Sequence, residues 1–201
     1  MNSVLILYPS LFNCYSKFSR KVRKITSSLG DVEIVFSDDP NLFIQKVCAE
    51  SSGQIVSNKV DAWTVNDITH AIIFDDGEEF SQETNLLNLN DKPLRLIRIK
   101  LTRVINIKHE TKYQSEKSTP SYEYIGRGSY WGNPYSMFEE GDDRDEVIRK
   151  FKYDFDYEKF PNKEKKEVYK LAGKRLGCFC KPQSCHGDIL ADFLNQWDDG
   201  K

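Results

Sequence analysis

The sequence has no long apolar run, no excess of positive charge and no regular cysteine spacing, and each absence excludes a class of protein. No apolar segment approaches the ~20 residues of a transmembrane helix, and residues 1–12 lack the basic start of a signal peptide. Twenty-nine Lys and Arg nearly balance 31 Asp and Glu, so a basic surface for coating nucleic acid is missing, although nucleic acid stays open as a substrate. Five cysteines without a framework are not typical of a secreted disulfide scaffold. We expect a cytoplasmic protein without a membrane partner.

Strands and helices alternate over the first hundred residues. Short apolar runs typical of buried parallel strands precede amphipathic segments, the first of which places Phe18, Val22 and Ile25 at helical spacing and ends at Gly30. The pattern predicts strands at 3–8, 31–37, 54–57, 69–77 and 93–100 and helices at 16–30, 38–53 and 78–90. Such alternation predicts a Rossmann-like parallel sheet with flanking helices as a domain of residues 1–100.

The second half, residues 101–201, is predicted to be a small α/β domain. A polar stretch at 109–122 has no apolar period and is predicted to be a loop. Apolar residues at helical spacing predict helices at 141–155, 160–174 and 187–197, and an alternating stretch at 175–181 predicts a strand.

The segment LGCFCKPQSCHGD, residues 176–188, admits three interpretations. In the first, zinc binds Cys178, Cys180 and Cys185, together with His186. Two features oppose it: the C-x-C spacing is narrower than in common zinc sites, and the adjacent side chains of Cys185 and His186 cannot easily both reach one ion. A helix N-terminus would instead lower the pKa of Cys185 and make it reactive. In the third interpretation the cysteines are small core residues and Asp188 caps the helix. We favour no cofactor here, with zinc as the alternative.

The loop YIGRGSYWGNP, residues 124–134, has the composition of a ligand-binding loop. Arg127 can pair with a phosphate or carboxylate, and Gly128 lets the backbone approach a ligand. Ser129 and Asn133 offer hydrogen bonds, and Trp131 offers a flat surface on which a base can stack. The alternative is a folded surface loop whose aromatic residues fill the core and whose arginine pairs with an internal acid.

The acidic segment GDDRDE, residues 141–146, is a further candidate. Acidic residues are what any helix favours in its first turn, so a structural role is the simpler interpretation. Arg144 is the exception, because its side chain could reach an anion.

These three motifs resemble those of a known protein family. Residues from about 101 to 197 resemble a domain of unknown function common in bacteriophages and bacteria, whose pattern here reads RGSYWGNP, GDDRDE and LGCFCKPQSCHGD. The genomic neighbours of that family suggest chemistry on nucleotides or DNA. If the chain is phage-encoded, the resemblance implies the host cytoplasm as its location.

The N-terminal half resembles the Rossmann-like SLOG superfamily, which includes DprA-like and Lonely-guy-like nucleotide binders. The similar segments are NLFIQKVCAESSGQIVSNKVDAW and ITHAIIFDDGEEFSQET. Where that superfamily has a glycine-rich phosphate loop, this chain has FSDDPNLF, in which Asp38 and Asp39 would repel a phosphate. We therefore expect a domain that keeps the fold without nucleotide binding and serves as a partner or homo-oligomer surface.

The resulting hypothesis is a protein that binds a nucleotide-like or sugar-phosphate ligand between the arginine loop and the CHGD helix. Cys185, His186 and Asp188 are the candidates for acid–base or nucleophilic work. An enzyme that hydrolyses or transfers an N-glycosidic bond of a nucleotide, nucleoside or modified base is our leading prediction. The alternative is a non-catalytic binding or interaction module whose Cys/His cluster is structural or holds zinc.

Overall fold

The computed structural model describes residues 1–137 and 141–201. It divides into two compact units, one formed by Met1–Ile99 with Asp198–Lys201 and the other by Lys100–Trp197. Each is an α/β structure, as the sequence pattern predicts. Across the described residues, no helix combines the length and apolar character that crossing a bilayer requires.

The first unit is built on a five-stranded parallel sheet. In chain order its strands are β1 (Asn2–Leu7), β2 (Val32–Phe36), β3 (Ile55–Lys59), β4 (His70–Asp75) and β5 (Leu94–Arg98), and they are arranged as β3-β2-β1-β4-β5. The three inner strands, β2, β1 and β4, are mostly apolar and buried, because both of their faces are covered. The prediction of a Rossmann-like parallel sheet is confirmed.

Three helices connect these strands: α1 (Tyr15–Thr26), α2 (Phe43–Ala49) and α3 (Ser81–Leu89). Phe18 and Val22 of α1 are buried, as their spacing predicts, and the chain turns after the helix at Gly30, where φ is +70°. No helix is described between β3 and β4.

The second unit contains a four-stranded mixed sheet. Its strands are β6 (Arg103–Asn106), β7 (Ser118–Thr119), β8 (Tyr122–Tyr124) and β9 (Arg175–Cys178), in the order β6-β9-β8-β7. The β9 strand pairs in parallel with β6 and with β8, and only the β7–β8 pair is antiparallel. This central position explains why Leu176 and Cys178 are buried.

Two α-helices pack on this sheet, α4 (Arg144–Asp156) and α5 (His186–Asn195). A shared core joins them, formed by apolar residues of both helices and of the loops between the strands: Ile125, Trp131, Phe151, Phe155, Phe160, Val168, Leu171, Leu176, Leu190 and Leu194. Buried Asn195 holds the end of α5 against the start of the sheet. Its amide accepts from the N–H of Thr102 at 2.8 Å and donates to the carbonyl of Thr102 at 3.1 Å.

Several elements of the second unit differ from the sequence-based predictions, among them β8, for which no strand was predicted. The polar stretch 109–122 contains a 3-10 turn, Thr111–Tyr113, and the short β7, because strands this short leave no apolar period. The β6 strand was not predicted. The segment predicted as a helix at 160–174 is a 3-10 helix at Lys165–Leu171. The strand predicted at 175–181 ends at Cys178, so Cys180 lies in the turn beyond it.

Candidate functional site

One pocket of the second unit brings together the two motifs that the sequence places about fifty residues apart. Its volume is about 200 Å³, and it lies between the loop after β8, the first turns of α4 and the N-terminus of α5. The described residues that line it come from all three segments: Gly126, Arg127, Asn133, Tyr135, Met137, Arg144, Val147, Ile148, Cys178, Phe179, Cys180, Ser184, Cys185 and His186.

The loop after β8 is held in place by its own close packing. A Cβ on Gly132 would lie 2.6 Å from the carbonyl oxygen of Gly126, so only glycine allows the loop to fold back on itself here. The amide of Asn133 donates to the carbonyl of Val147 in α4 at 3.0 Å and accepts from the N–H of Tyr135 at 3.0 Å. These contacts present Arg127 at the pocket on a defined backbone.

The two arginines of the pocket contact neutral groups. Nη2 of Arg127 donates to the hydroxyl of Ser136 at 3.3 Å, and Nη1 of Arg144 donates to the carbonyl of Ser184 at 3.2 Å. Arg144 is the first residue of α4, and the carboxylate of Asp143 caps that helix by accepting from the N–H of Glu146 at 2.8 Å. Among the described residues no carboxylate contacts either guanidinium, so two positive charges line the pocket.

The N-terminus of α5 is fixed by a capping box. Cys185 is the N-cap residue, and its backbone N–H donates to the carboxylate of Asp188 at 2.9 Å. The other carboxylate oxygen of Asp188 pairs with Lys181 at 2.6 Å. A Cβ on Gly187 would lie 2.4 Å from Ile125 Cδ1, so the first turn packs directly against the residue that follows β8.

Three thiols meet at this helix end. The sulfurs of Cys178, Cys180 and Cys185 all lie within 4.8 Å of one another, and the first two are 3.3 Å apart. A hydrogen bond from Cys185 lowers the pKa of Cys178 to about 6, with help from the backbone N–H of Cys180. The same hydrogen bond and burial raise the pKa of Cys185, and burial raises that of Cys180. The cluster is an environment in which one thiolate is stable.

His186 is buried beside the thiols and has both ring nitrogens engaged. Nε2 lies 3.0 Å from the carbonyl oxygen of Ile125, which can only accept, so this nitrogen carries the proton. Nδ1 is then the acceptor and lies 3.6 Å from the sulfur of Cys185. Burial lowers the pKa of His186 to about 4, and the ring packs edge-on against Phe151. The imidazole is neutral near pH 7.

Comparison with known families decides what the first unit is. Residues 1–105, slightly more than half of the chain, match the family model described as minimal SLOG domain. The chain belongs to the minimal SLOG domain family. Residues 105–196 match a second model, described as domain of unknown function (DUF4326), so the pocket lies within that second domain.

The chain is also similar to a phage protein, the "Uncharacterized 12.4 kDa protein in nrdA-td intergenic region" of Enterobacteria phage T4. It is 38% identical to this chain over 99 residues, which are 48% of this chain and 81% of the phage protein. No solved structure matches.

In the SLOG domain, the carboxyl ends of the central strands are filled by the protein itself. Tyr8 and Phe12 follow β1, Phe74 lies near the end of β4 and Phe43 begins α2; all four are buried, and Phe12 stacks on Phe74 with ring centroids 5.1 Å apart. The buried carboxylate of Asp39 accepts from the N–H groups of α2 and from the hydroxyl of Tyr8. Open α/β sheets bind ligands at this edge, beside the point where the strand order reverses.

The structure places four of the predicted site residues away from the pocket. Among the described residues, Gly128, Ser129, Trp131 and Asp188 do not line it. Trp131 is 4% exposed and packs edge-on against Phe155 in the core. The prediction that a base stacks on Trp131 is therefore wrong, because the ring has no free face for a ligand. Asp188 serves the capping box instead, as the structural alternative predicts.

The predicted lowering of the Cys185 pKa is wrong. Its sulfur does accept a hydrogen bond from the N–H of Gly187 at 3.4 Å, which alone would favour a thiolate. The donation of its proton to Cys178 outweighs this contact, and the lowered pKa belongs to Cys178. The sequence contained no signal for this reversal, because it depends on how the three thiols are arranged in the folded domain.

Two pocket residues were missed although the sequence offered a signal. Tyr135 follows Asn133 in the same loop, and its hydroxyl donates to Asp154 of α4 at 2.6 Å. Ile148 of α4 is half-buried and lines the pocket as well. Tyr135 directly follows the predicted ligand-binding loop at 124–134, and Ile148 lies within the predicted helix at 141–155.

If Asp188 is a capping residue, its replacement has a defined cost. We predict that Asp188→Ala lowers the free energy of unfolding by about 1 kcal/mol, the usual effect of losing a cap. Urea unfolding followed by circular dichroism measures this difference. Asp192→Ala, one turn further along the exposed side of α5, is the control and stays within about 0.5 kcal/mol of the unchanged protein.

Proposed function

We propose that the pocket of the second domain binds a small phosphate-bearing ligand of the nucleotide or sugar-phosphate class. The observation that carries the proposal is the convergence of Arg127 and Arg144 on one pocket, where the acceptors described for both guanidinium groups are neutral. Guanidinium groups match phosphate in charge and geometry, and charge-assisted hydrogen bonds are about twice as strong as neutral ones.

The shape of the pocket also supports a small ligand. A volume of about 200 Å³ lies below the roughly 300–1,000 Å³ typical of pockets for drug-sized molecules. The apolar part of the lining, Val147, Ile148 and Phe179, offers a surface for a sugar or the edge of a base. A sugar phosphate or the phosphate-and-ribose portion of a nucleotide fits this combination.

The SLOG domain takes a different part in the proposal. Its edge beside the strand-order reversal contains buried aromatic rings, and Asp39 already occupies the N–H groups of Ile44 and Gln45, where a phosphate would bind. A carboxylate at that position repels a second anion. We therefore assign ligand binding to the second domain and a partner or self-association surface to the SLOG domain.

Arginine variants test the proposal. Isothermal titration of the full chain with ribose 5-phosphate and with nucleoside monophosphates measures binding. Arg127→Ala and Arg144→Ala are each expected to weaken it by about 10- to 100-fold, which corresponds to losing about 1.5–3 kcal/mol of hydrogen bonding to a charged group.

Arg149→Ala is the matched control, because Arg149 lies on the same helix as Arg144 but is exposed and pairs with Glu146 at 2.6 Å. It should bind like the unchanged protein. Equal affinities in all three variants, or no binding of any phosphate compound, would contradict the proposal.

The proposal also includes a catalytic activity. A nucleotide-directed hydrolase or transferase acting at an N-glycosidic bond would draw its acid–base chemistry from His186 and Cys185, which line the pocket next to each other. A second candidate, a non-catalytic binding module, is favoured by one specific observation: both nitrogens of His186 already have partners within the protein.

Product analysis separates the two candidates. The chain is incubated with the nucleotides that bind it, and chromatography follows release of the free base. The enzymatic version predicts base release that His186→Gln abolishes while Arg149→Ala retains it. Tight, arginine-dependent binding without any released base would support the binding module and contradict the enzyme.

A further inference from the structure

The three thiols form a set of metal ligands at the base of the pocket. A tetrahedral zinc with Zn–S bonds of about 2.3 Å holds its sulfurs about 3.8 Å apart. The sulfurs of Cys178 and Cys180 are 3.3 Å apart, and all three sulfurs lie within 4.8 Å of one another, so shifts of about an ångström or less place them around one ion. The narrow C-x-C spacing of Cys178 and Cys180 therefore does not prevent the sulfurs from surrounding one ion.

The backbone around the sulfurs supports the same interpretation. Cys178 ends a central strand, and Cys185 is fixed by the capping box at the start of α5. The N–H of Gly187 donates to the sulfur of Cys185 at 3.4 Å, the kind of outer contact that holds a metal-bound thiolate in place.

Among the residues that the structure describes, the set has three protein ligands and an open side. Nε2 of His186 faces the carbonyl of Ile125, and neither ring nitrogen belongs to the cluster of ligand atoms. All three cysteines line the same pocket as the two arginines. Zinc sites that act on a ligand keep three protein donors and leave the fourth position open.

We propose that Cys178, Cys180 and Cys185 bind a zinc ion whose fourth coordination position faces the pocket lined by Arg127 and Arg144. That position takes water or an oxygen atom of the bound phosphate ligand. This inference deepens the proposed function, and it rests on that function only for the identity of the fourth ligand. The metal site itself stands on the three sulfurs.

Zinc titration of the full chain tests the metal site. The reduced protein is freed of metal with a chelator and titrated with zinc against a chromophoric competitor, with no phosphate present. We expect stoichiometric binding, and we expect Cys178→Ser and Cys180→Ser to weaken it by about 100-fold or more. Cys48→Ser, in the SLOG domain, is the control and retains full affinity. Absence of stoichiometric binding, or unchanged affinity in Cys178→Ser and Cys180→Ser, overturns the proposal.

A second measurement needs no variant and so does not depend on how well a variant folds. Alkylation of the unchanged protein, mapped by mass spectrometry, reports the accessibility of each cysteine with and without zinc. Zinc should protect Cys178, Cys180 and Cys185 and leave the labelling of Cys48 unchanged. Equal labelling in both samples, or a disulfide between Cys178 and Cys180 that persists under reducing conditions, overturns the zinc site.

The two proposals fail separately. Phosphate binding is measured both on metal-free and on zinc-loaded protein, and zinc binding on phosphate-free protein. Loss of zinc binding with intact, Arg127-dependent phosphate binding contradicts only the metal site. Stoichiometric zinc without phosphate binding contradicts only the proposed function and leaves the metal site supported.

Discussion

The packing of the α5 N-terminus against Ile125 is the contact on which the candidate site depends. His186 hydrogen-bonds to the carbonyl of that residue, and Gly187 leaves just enough room for its side chain. This contact brings the loop that carries Arg127 next to the helix end that carries Cys185. Because the imidazole is neutral and buried, it can hold the two segments together without the cost of a buried charge.

Much of the fold could be predicted from the sequence because its signals are local. Apolar runs and helical spacing identify the parallel sheet and the helices α1, α4 and α5 to within a few residues. The short strands β6 and β7 escaped prediction, since two to four residues cannot show a period and their partners are distant in sequence. Their pairing is a property of the assembled sheet.

The candidate site was predicted in part. Arg127, Arg144, Asn133, Cys185 and His186 are brought together, because glycine-rich loops and helix ends are recognisable motifs. The burial of Trp131 and the proton distribution among the thiols depend on neighbours that no local pattern specifies. Motifs therefore identify which segments matter, whereas the direction of each side chain follows from packing.

The central claim is that a phosphate-bearing ligand lies between the arginine loop and the start of α5. Two-dimensional NMR of the isotope-labelled full chain, titrated with ribose 5-phosphate, tests it most directly. The account predicts saturable shifts confined to the backbone amides at 126–128, 144 and 185–187 and to the side chains of Arg127 and Arg144. Shifts that centre on the SLOG domain around Asp39, or that are absent at both arginines, would contradict it.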